Sequence, residues 1–497
     1  EPLQRKLNVA AGPILGKGLI YMMISSFIWM GSSFVVHSVT GRLLGPMAYG
    51  TFGIIYAIIS TSYIVLGGGV KRAVTKYTAN TPDQAGDIRV AGLKVQLYIC
   101  AIIAIVLFIF SAPLGIWLND KNLKIFIRYS ACIVPVAGIL YVYVGYFDGC
   151  KQFGRTAIVV IAHSILKVIF AFVLLFTGYE IFGAITGLVI GLGGALLFAV
   201  LLGRHATFTE QFEQKKILQF ALPVLSYFIC ISILAYLDLF FVKALLDDPA
   251  KTGYYTAAQT ISKLISFAMF PFGIVLLPSI SSAVAINDLT MVRRYIEGSL
   301  RYILIILVPT CMLLSITAEQ ILVHIYGQKY SFGATSLSIP FFGASCWGIT
   351  NAMVAIIQGY GHPGRPAMIF AVMIPVNVVL LQIFILKFGI EGAAVASTCS
   401  FIMGMILAAI TIYKRYTVLI RIRTVFNMII ASSAGCVQFI FVKPSGFFLL
   451  LCYFLTFCIY IGVLRVLGEL KREDMDFLAN AIYLGPVSYT HLTLPTI

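Results

Sequence analysis

Charge is what this sequence has least of. Asp, Glu, Lys and Arg make up 11% of its 497 residues, against about a quarter in an ordinary soluble chain. Surface charge keeps a folded domain in solution, so a soluble enzyme is excluded. The 60% apolar content likewise excludes a disordered or collagen-like chain. Acidic residues are the scarcer sign, 19 against 35 basic, which leaves a net charge of +16. On a soluble domain that excess would point to nucleic acid. With a mean hydropathy of +0.97 it is read instead as Lys- and Arg-rich cytoplasmic loops that also meet anionic lipid, with no nucleic-acid partner. No C-x-x-C pair occurs among the ten cysteines, so small buried hydrophobes are expected in place of disulfides or metal ligands. The chain also shows no G-x-S-x-G, P-loop or metal-ligand spacing, so no catalytic centre, cofactor or metal is expected.

What is present is apolar sequence, end to end. A helix crossing about 30 Å of hydrocarbon takes about 20 mostly apolar residues. On that ruler the chain divides into fourteen spans: 14–38, 47–69, 91–112, 123–147, 155–177, 181–203, 217–246, 253–283, 299–317, 332–358, 366–386, 391–413, 424–442 and 446–466. The first is long enough to span, so no cleavable signal peptide is expected. With the N-terminus inside, 24 Lys and Arg fall in cytoplasmic loops and eight in the opposite ones. That bias predicts cytoplasmic N- and C-termini in the cell membrane. The last stretch, PVSYTHLTLPTI from Pro486 to Ile497, breaks from everything before it. It reads as a translated adapter from transposon-end sequencing, and no function is expected of it.

The chain also resembles itself. GCKQFGRTA (Gly149–Ala157) matches GYGHPGRPA (Gly359–Ala367) at an offset of 210, and Gly183-Ala184 parallels Gly392-Ala393 one helix later. LLGPMAYGTF (Leu43–Phe52) parallels LLDDPAKTGYYT (Leu245–Thr256). Each repeat covers six helices, an even number, so both enter the membrane with the same polarity, and the repeats are of the parallel kind. The expected organisation is an N-terminal lobe over 1–203, a cytoplasmic linker over 204–216, and a second lobe over 217–413. Helices 13–14 with a cytoplasmic tail follow over 414–485. Such a pair of lobes facing a central cleft suits alternating access. Inside the first lobe, Gly183, Gly187 and Gly191 form tandem G-x-x-x-G, a pattern that lets a neighbouring backbone come close.

GRLLGPMAYGTFGIIYAI (Gly41–Ile58) with GGGVKRAVTKYTA (Gly67–Ala79) resembles the opening of the polysaccharide-transporter branch of the MOP flippase superfamily. That branch holds O-antigen flippases and stage V sporulation B-like proteins. YLDLFFVKALL (Tyr236–Leu246) and GYYTAAQTISKLISFAMFPFGIVLLPSIS (Gly253–Ser281) are similar to the start of its second lobe. IIQGYGHPGRPAM (Ile356–Met368) and KFGIEGAAVAS (Lys387–Ser397) are similar to its next hallmark. The resemblance implies an all-α, MATE-like polytopic protein that flips a polyprenyl-linked oligosaccharide to the outer leaflet for cell-surface polysaccharide synthesis. It implies a glycan polymerase or glycosyltransferases as partners. Flipping of lipid II, the peptidoglycan precursor, is the alternative.

Ionisable groups in mid-span cost several kcal/mol unless paired or hydrated, and so mark candidate sites. Lys167 lies twelve residues past Arg155, about 18 Å deep at 1.5 Å per residue, with His163 one turn earlier on the same face. At the 210-residue offset it maps onto Asn377. Lys263 and Asp238 are also deep in their spans, while Lys243 is close enough to an interface to snorkel. The expected cleft therefore comprises Lys167, Lys263, His163, Asn377 and Asp238, with Arg42 and Arg72 at its rim. With two lysines against one aspartate it would be net positive, suited to a pyrophosphate, and lysine binds phosphate as a point charge. Pro271 and Gly273 are the expected hinge, because a missing N–H weakens a helix locally. A cation-coupled multidrug exporter is disfavoured because helices 1–6 carry no mid-span Asp or Glu. A membrane glycosyltransferase would need a sizeable outer loop that the chain does not have.

Overall fold

The computed structural model describes residues 2–204, 212–361, 364–442, 444 and 446–470. Most of the 204–216 linker, His362 and Pro363 of the glycine motif, and everything from 471 onward, including 486–497, lie outside the described residues. Within them the regular structure is helical, with two short 3-10 turns and no strand. Ten stretches are long and apolar enough to cross a membrane, which makes the chain a polytopic all-α membrane protein. The figure of fourteen spans remains an expectation. Ile102, Ile109 and Phe454 point outward from these helices, as apolar side chains facing lipid do.

Helix boundaries follow from backbone chemistry. Pro2–Gly68 runs as one element through Gly45, whose φ of 75° lies in the left-handed region that a residue without Cβ enters freely. Gly389 (φ 62°) divides Gly364–Tyr416 in the same way. Four spans expected to be single helices are instead broken, the 424–442 span into Ile422–Cys436 and Gln438–Phe441. The 123–147 span is Leu123–Ser130 and Ile133–Gly149, because Pro135 has no N–H for the carbonyl of Ala131. The 253–283 span is Pro249–Ala268 and Phe270–Ala285, interrupted at Met269 just before Pro271. Pro271 therefore sits in the first turn of a new helix, where a missing N–H costs little. The 217–246 span is Gln214–Leu234 and Leu237–Leu245. Asp238 consequently lies in a first helical turn rather than mid-helix, and its Oδ1 accepts from the Leu239 N–H at 2.8 Å.

Packing forms two large apolar cores. One is drawn mainly from residues 54–242 together with Leu381–Ala396. The other comes mainly from 257–416 together with Val36, Tyr49 and Phe52. Ile422–Cys436 and Phe447–Val466 form a small third core with Leu304 and Ile305, where Tyr460 donates to the Ile305 carbonyl at 2.9 Å. The repeat-related segments meet reciprocally. A Cβ on Gly50 would come within 2.8 Å of the Gly253 nitrogen and 3.1 Å of the Pro249 carbonyl, and one on Gly253 would strike Pro46. A contact in which each copy touches the equivalent part of the other is what a two-fold relation between repeats requires. The glycine stripe acts as read: a Cβ on Gly191 would lie 2.6 Å from the Lys167 backbone. Of the cysteines, Cys100, Cys311, Cys436 and Cys452 are buried, whereas Cys132, Cys399 and Cys458 are exposed.

Candidate functional site

A cavity of about 310 Å³ opens where Pro2–Gly68 faces Pro249–Ala268. Its wall is rich in aromatic side chains, among them Trp29, Phe34, Tyr56, Tyr63, Phe228 and Tyr236. Lys263 is the one charged side chain among the described residues that line it. Its Nζ lies 3.6 Å from the centroid of the Tyr236 ring and donates to Gln259 Oε1 at 2.9 Å. An ammonium held over an aromatic face is stabilised by the ring quadrupole yet keeps donors free. A second cavity of about 210 Å³ shares Ile64, Tyr236, Gln259 and Lys263 with the first and adds Asp238, Tyr255, Trp347 and Ser397.

At one end the seam above the first cavity is closed by polar contacts. His37 Nδ1 meets Tyr49 Oη at 2.9 Å, Tyr49 Oη meets Tyr326 Oη at 3.1 Å, and Tyr330 donates to the Gly41 carbonyl at 2.7 Å. Lys243 pairs with Asp120 at 3.2 Å, and Asn119 Nδ2 donates to the Ala244 carbonyl at 3.3 Å. Toward the other end, Phe228 presses on Gly68, where any side chain would overlap its ring. The Arg72 guanidinium sits 4.7 Å from the same ring. Lys76 lies 4.3 Å from the Phe220 ring nearby.

The residues expected to form the cleft divide into three groups. Lys263 lines both cavities and Asp238 the second, held by Tyr255 Oη at 2.6 Å and Gln259 Nε2 at 2.8 Å. Lys167 lies behind the wall: its Nζ donates to Ser33 Oγ at 2.7 Å and reaches the Trp29 carbonyl at 3.4 Å, and both partners line the first cavity. His163 and Asn377 are buried but line neither cavity, and His163 Nε2 and both Asn377 amide atoms find no partner among the described residues. Arg42 and Arg72 are exposed and line neither. Lys243 does not snorkel but is buried in its ion pair. Sequence reasoning missed His37 and Gln259, which line the first cavity, and the aromatic wall itself. The seven-residue spacing of Tyr56 and Tyr63 on one helix face was the available signal.

A helical membrane protein with two repeat-related halves packed around an interior cavity has the architecture of a transporter. A family model described as "Polysaccharide biosynthesis protein" matches residues 15–284, more than half of the chain, and the chain belongs to that family. The probable low-salt glycan biosynthesis flippase Agl15 of Haloferax volcanii is 20% identical over 401 residues, covering 80% of this chain and 83% of that protein. The lipid II flippase MurJ of Bacillus subtilis is 21% identical over 493 residues, covering 88% of each. Stage V sporulation protein B of the same organism is 21% identical, covering 82% and 85%. Among solved structures, lipid II flippase MurJ in an inward closed conformation superposes with a TM-score of 0.74 at 16% identity, covering 90% of this chain and 98% of that one. An inward-facing multidrug resistance transporter of the MATE family gives 0.68 at 15% identity, covering 80% and 98%. At these identities the structural likeness is one of fold.

Proposed function

We propose that this protein is an alternating-access flippase. It moves a polyprenyl-pyrophosphate-linked oligosaccharide from the cytoplasmic to the outer leaflet of the cell membrane, supplying cell-surface polysaccharide synthesis. The observation that carries the reading is the Lys263 ammonium standing over Tyr236 in a cavity whose other lining side chains, among the described residues, are uncharged: aromatic, apolar or neutral polar. Bare hydrocarbon is prohibitive for a pyrophosphate. A hydrated cavity with a mobile ammonium lowers that barrier, while aromatic faces suit sugar rings and the polyprenyl chain stays in lipid. Lysine binds phosphate without a rigid fork, which favours release.

With both termini cytoplasmic, the end sealed by Tyr49, Tyr326 and the Asp120–Lys243 pair is the outer one, so the conformation is closed to the outside. Residues 1–203 and 217–413 act as the two rocking lobes, with Lys167, His163 and Asn377 at their deep positions and Arg42 and Arg72 toward the rims. The break at Met269, just before Pro271 and Gly273, is the hinge. Activity is transport rather than catalysis, driven by an ion gradient, the membrane potential or consumption of product outside.

In cells deprived of their own copy, Lys263→Ala should reduce surface glycan at least about tenfold, the worth of one charge-assisted hydrogen bond to phosphate. Membrane abundance, read by immunoblot, should not fall. Wild-type levels of surface glycan in Lys263→Ala and in Lys167→Ala would overturn the charged-cavity reading. The 88% mutual coverage with the Bacillus lipid II flippase supports lipid II as a second substrate reading. Rescue of cell-wall synthesis, with surface glycan unaffected, would select it.

A further inference from the structure

We infer that Gln259 couples anion capture by Lys263 to uptake of a proton by Asp238. The inference rests on the anion-carrying reading above and adds a second ligand to it. Lys263 Nζ donates to Gln259 Oε1 at 2.9 Å, and Gln259 Nε2 donates to Asp238 Oδ1 at 2.8 Å. One amide therefore bridges an ammonium in the first cavity to a carboxylate against the second. Its orientation is set by the two charges, because only its oxygen can serve the ammonium and only its NH₂ the carboxylate. Asp238 and Gln259 are buried at 6% and 9% exposure, so the pair interacts where water screens poorly.

An anion in the first cavity takes the Lys263 ammonium for itself. The bridge opens, and Asp238 is left as a buried carboxylate whose compensating charge has been claimed by another group. Such a group neutralises rather than stays bare. The neutralising cation is a proton and not a metal ion, because donors already occupy both oxygens. Leu239 N and Gln259 Nε2 serve Oδ1, while Tyr255 Oη at 2.6 Å and Ser397 Oγ at 3.3 Å serve Oδ2. A metal would have to displace several of them, whereas a proton needs one lone pair. The new O–H finds an acceptor at once: released by Lys263, the amide turns over and presents Oε1, or the Ser397 hydroxyl rotates. The second cavity, about 210 Å³, has room for the water that delivers the proton.

The remaining charged and titratable groups nearby are accounted for. Tyr255 and Lys263 face Asp238 from the Pro249–Ala268 helix, Ser397 comes from Gly364–Tyr416, and Tyr236 stands two residues before Asp238 in the chain. Lys243, farther along the Asp238 helix, is engaged by Asp120. His37 lines the first cavity together with Lys263.

The test is calorimetric titration of the purified full chain with farnesyl diphosphate in buffers of differing ionisation enthalpy at one neutral pH. The slope against that enthalpy counts protons taken up per ligand bound, independently of affinity. We expect wild type to take up about one proton more than Asp238→Asn, as linkage requires of a group protonated on binding. Gln259→Leu should lose most of the same uptake, and it carries the comparison if Asp238→Asn does not fold. Equal proton counts in wild type and either folded variant overturn the coupling alone. No binding heat from wild type, with folding verified by a thermal melt, overturns the anion-carrying reading and the coupling with it.

Discussion

Two buried lysines, one in each half, meet opposite treatment. Lys167 is packed from behind by the Glu180–Leu202 helix through Gly191 and spends its ammonium on a serine hydroxyl and a backbone carbonyl of the first helix, with the Trp29 ring centroid at 5.3 Å, farther than Tyr236 is from Lys263. No carboxylate is within salt-bridge reach of it among the described residues. Lys263 lies on an aromatic ring, borders both cavities and reaches a carboxylate through one amide. Lys167 thus ties its helix to the first one by two hydrogen bonds, whereas Lys263 borders open space on two sides. Equal burial does not mean equal surroundings; the neighbours decide.

The strongest way to break this contrast is to move Lys167 without touching it. A Cβ on Gly191 would lie 2.6 Å from both the nitrogen and Cα of Lys167, while one on Gly193 meets nothing within 4 Å. Overpacking against backbone costs about 1–3 kcal/mol or more. Gly191→Leu should therefore lower the melting temperature in detergent and the yield of folded protein, and Gly193→Leu should leave both unchanged. Equal tolerance at the two positions would mean that the helices do not approach as closely as the glycine stripe requires.

A direct test compares the lysines by their own removal. Lys263→Met should weaken farnesyl diphosphate binding by about tenfold or more, because it deletes a charge-assisted hydrogen bond inside a low-dielectric cavity. Lys167→Met, which removes a charge behind the wall, should weaken it by about threefold, equivalent to some 0.6 kcal/mol. The same titration reads both. A larger effect from Lys167→Met would reverse the assignment of roles.

How far the sequence carried this site depends on what kind of signal each residue sends. Lys167, Lys263 and Asp238 stand out because an ionisable group in an apolar run is rare and expensive. Gln259, Tyr56 and His37 send no such signal, since an amide, a ring or a single histidine in a helix is commonplace. They become a site only when Pro2–Gly68 and Pro249–Ala268 pack together, a pairing that the repeat hinted at but did not specify. That the chain is a series of long apolar helices was readable from hydropathy, whereas the break at Ala235–Tyr236, which puts Asp238 in a first turn, carries no proline or glycine to announce it. The glycine stripe was readable because close approach demands a missing Cβ.

The seam at the Tyr49 end offers an intermediate effect. Lys243 and Asp120 pair at 3.2 Å with side-chain exposures of 6% and 18%. Partly screened, the pair should contribute about 1–2 kcal/mol to the closed state. Asp120→Lys should speed labelling of Thr256→Cys, on the cavity wall, by a membrane-impermeant maleimide added from outside, in a background freed of the native cysteines. Adding Lys243→Asp should restore the slow rate. Unchanged labelling in the single variant would show that Tyr49, Tyr326 and Tyr330 close that end without help.

The smallest effect belongs to the opposite end, and it distinguishes a latch from a bystander. Arg72 is exposed, and its guanidinium lies over Phe228, a ring that lines the first cavity and fills the space left by Gly68. A cation–π contact at an exposed site contributes about 0.5–1 kcal/mol. Arg72→Gln should therefore speed labelling of Ser60→Cys in inside-out vesicles by about two- to fivefold, the same energy expressed as a rate. The Phe228→Leu background separates the possibilities, because a double-mutant cycle isolates the pairwise contribution. If Arg72 acts through the ring, Arg72→Gln adds nothing once Phe228 is leucine. If it speeds labelling by the same factor in both backgrounds, the arginine works through lipid or solvent, and Phe228 alone restrains that end of the cavity.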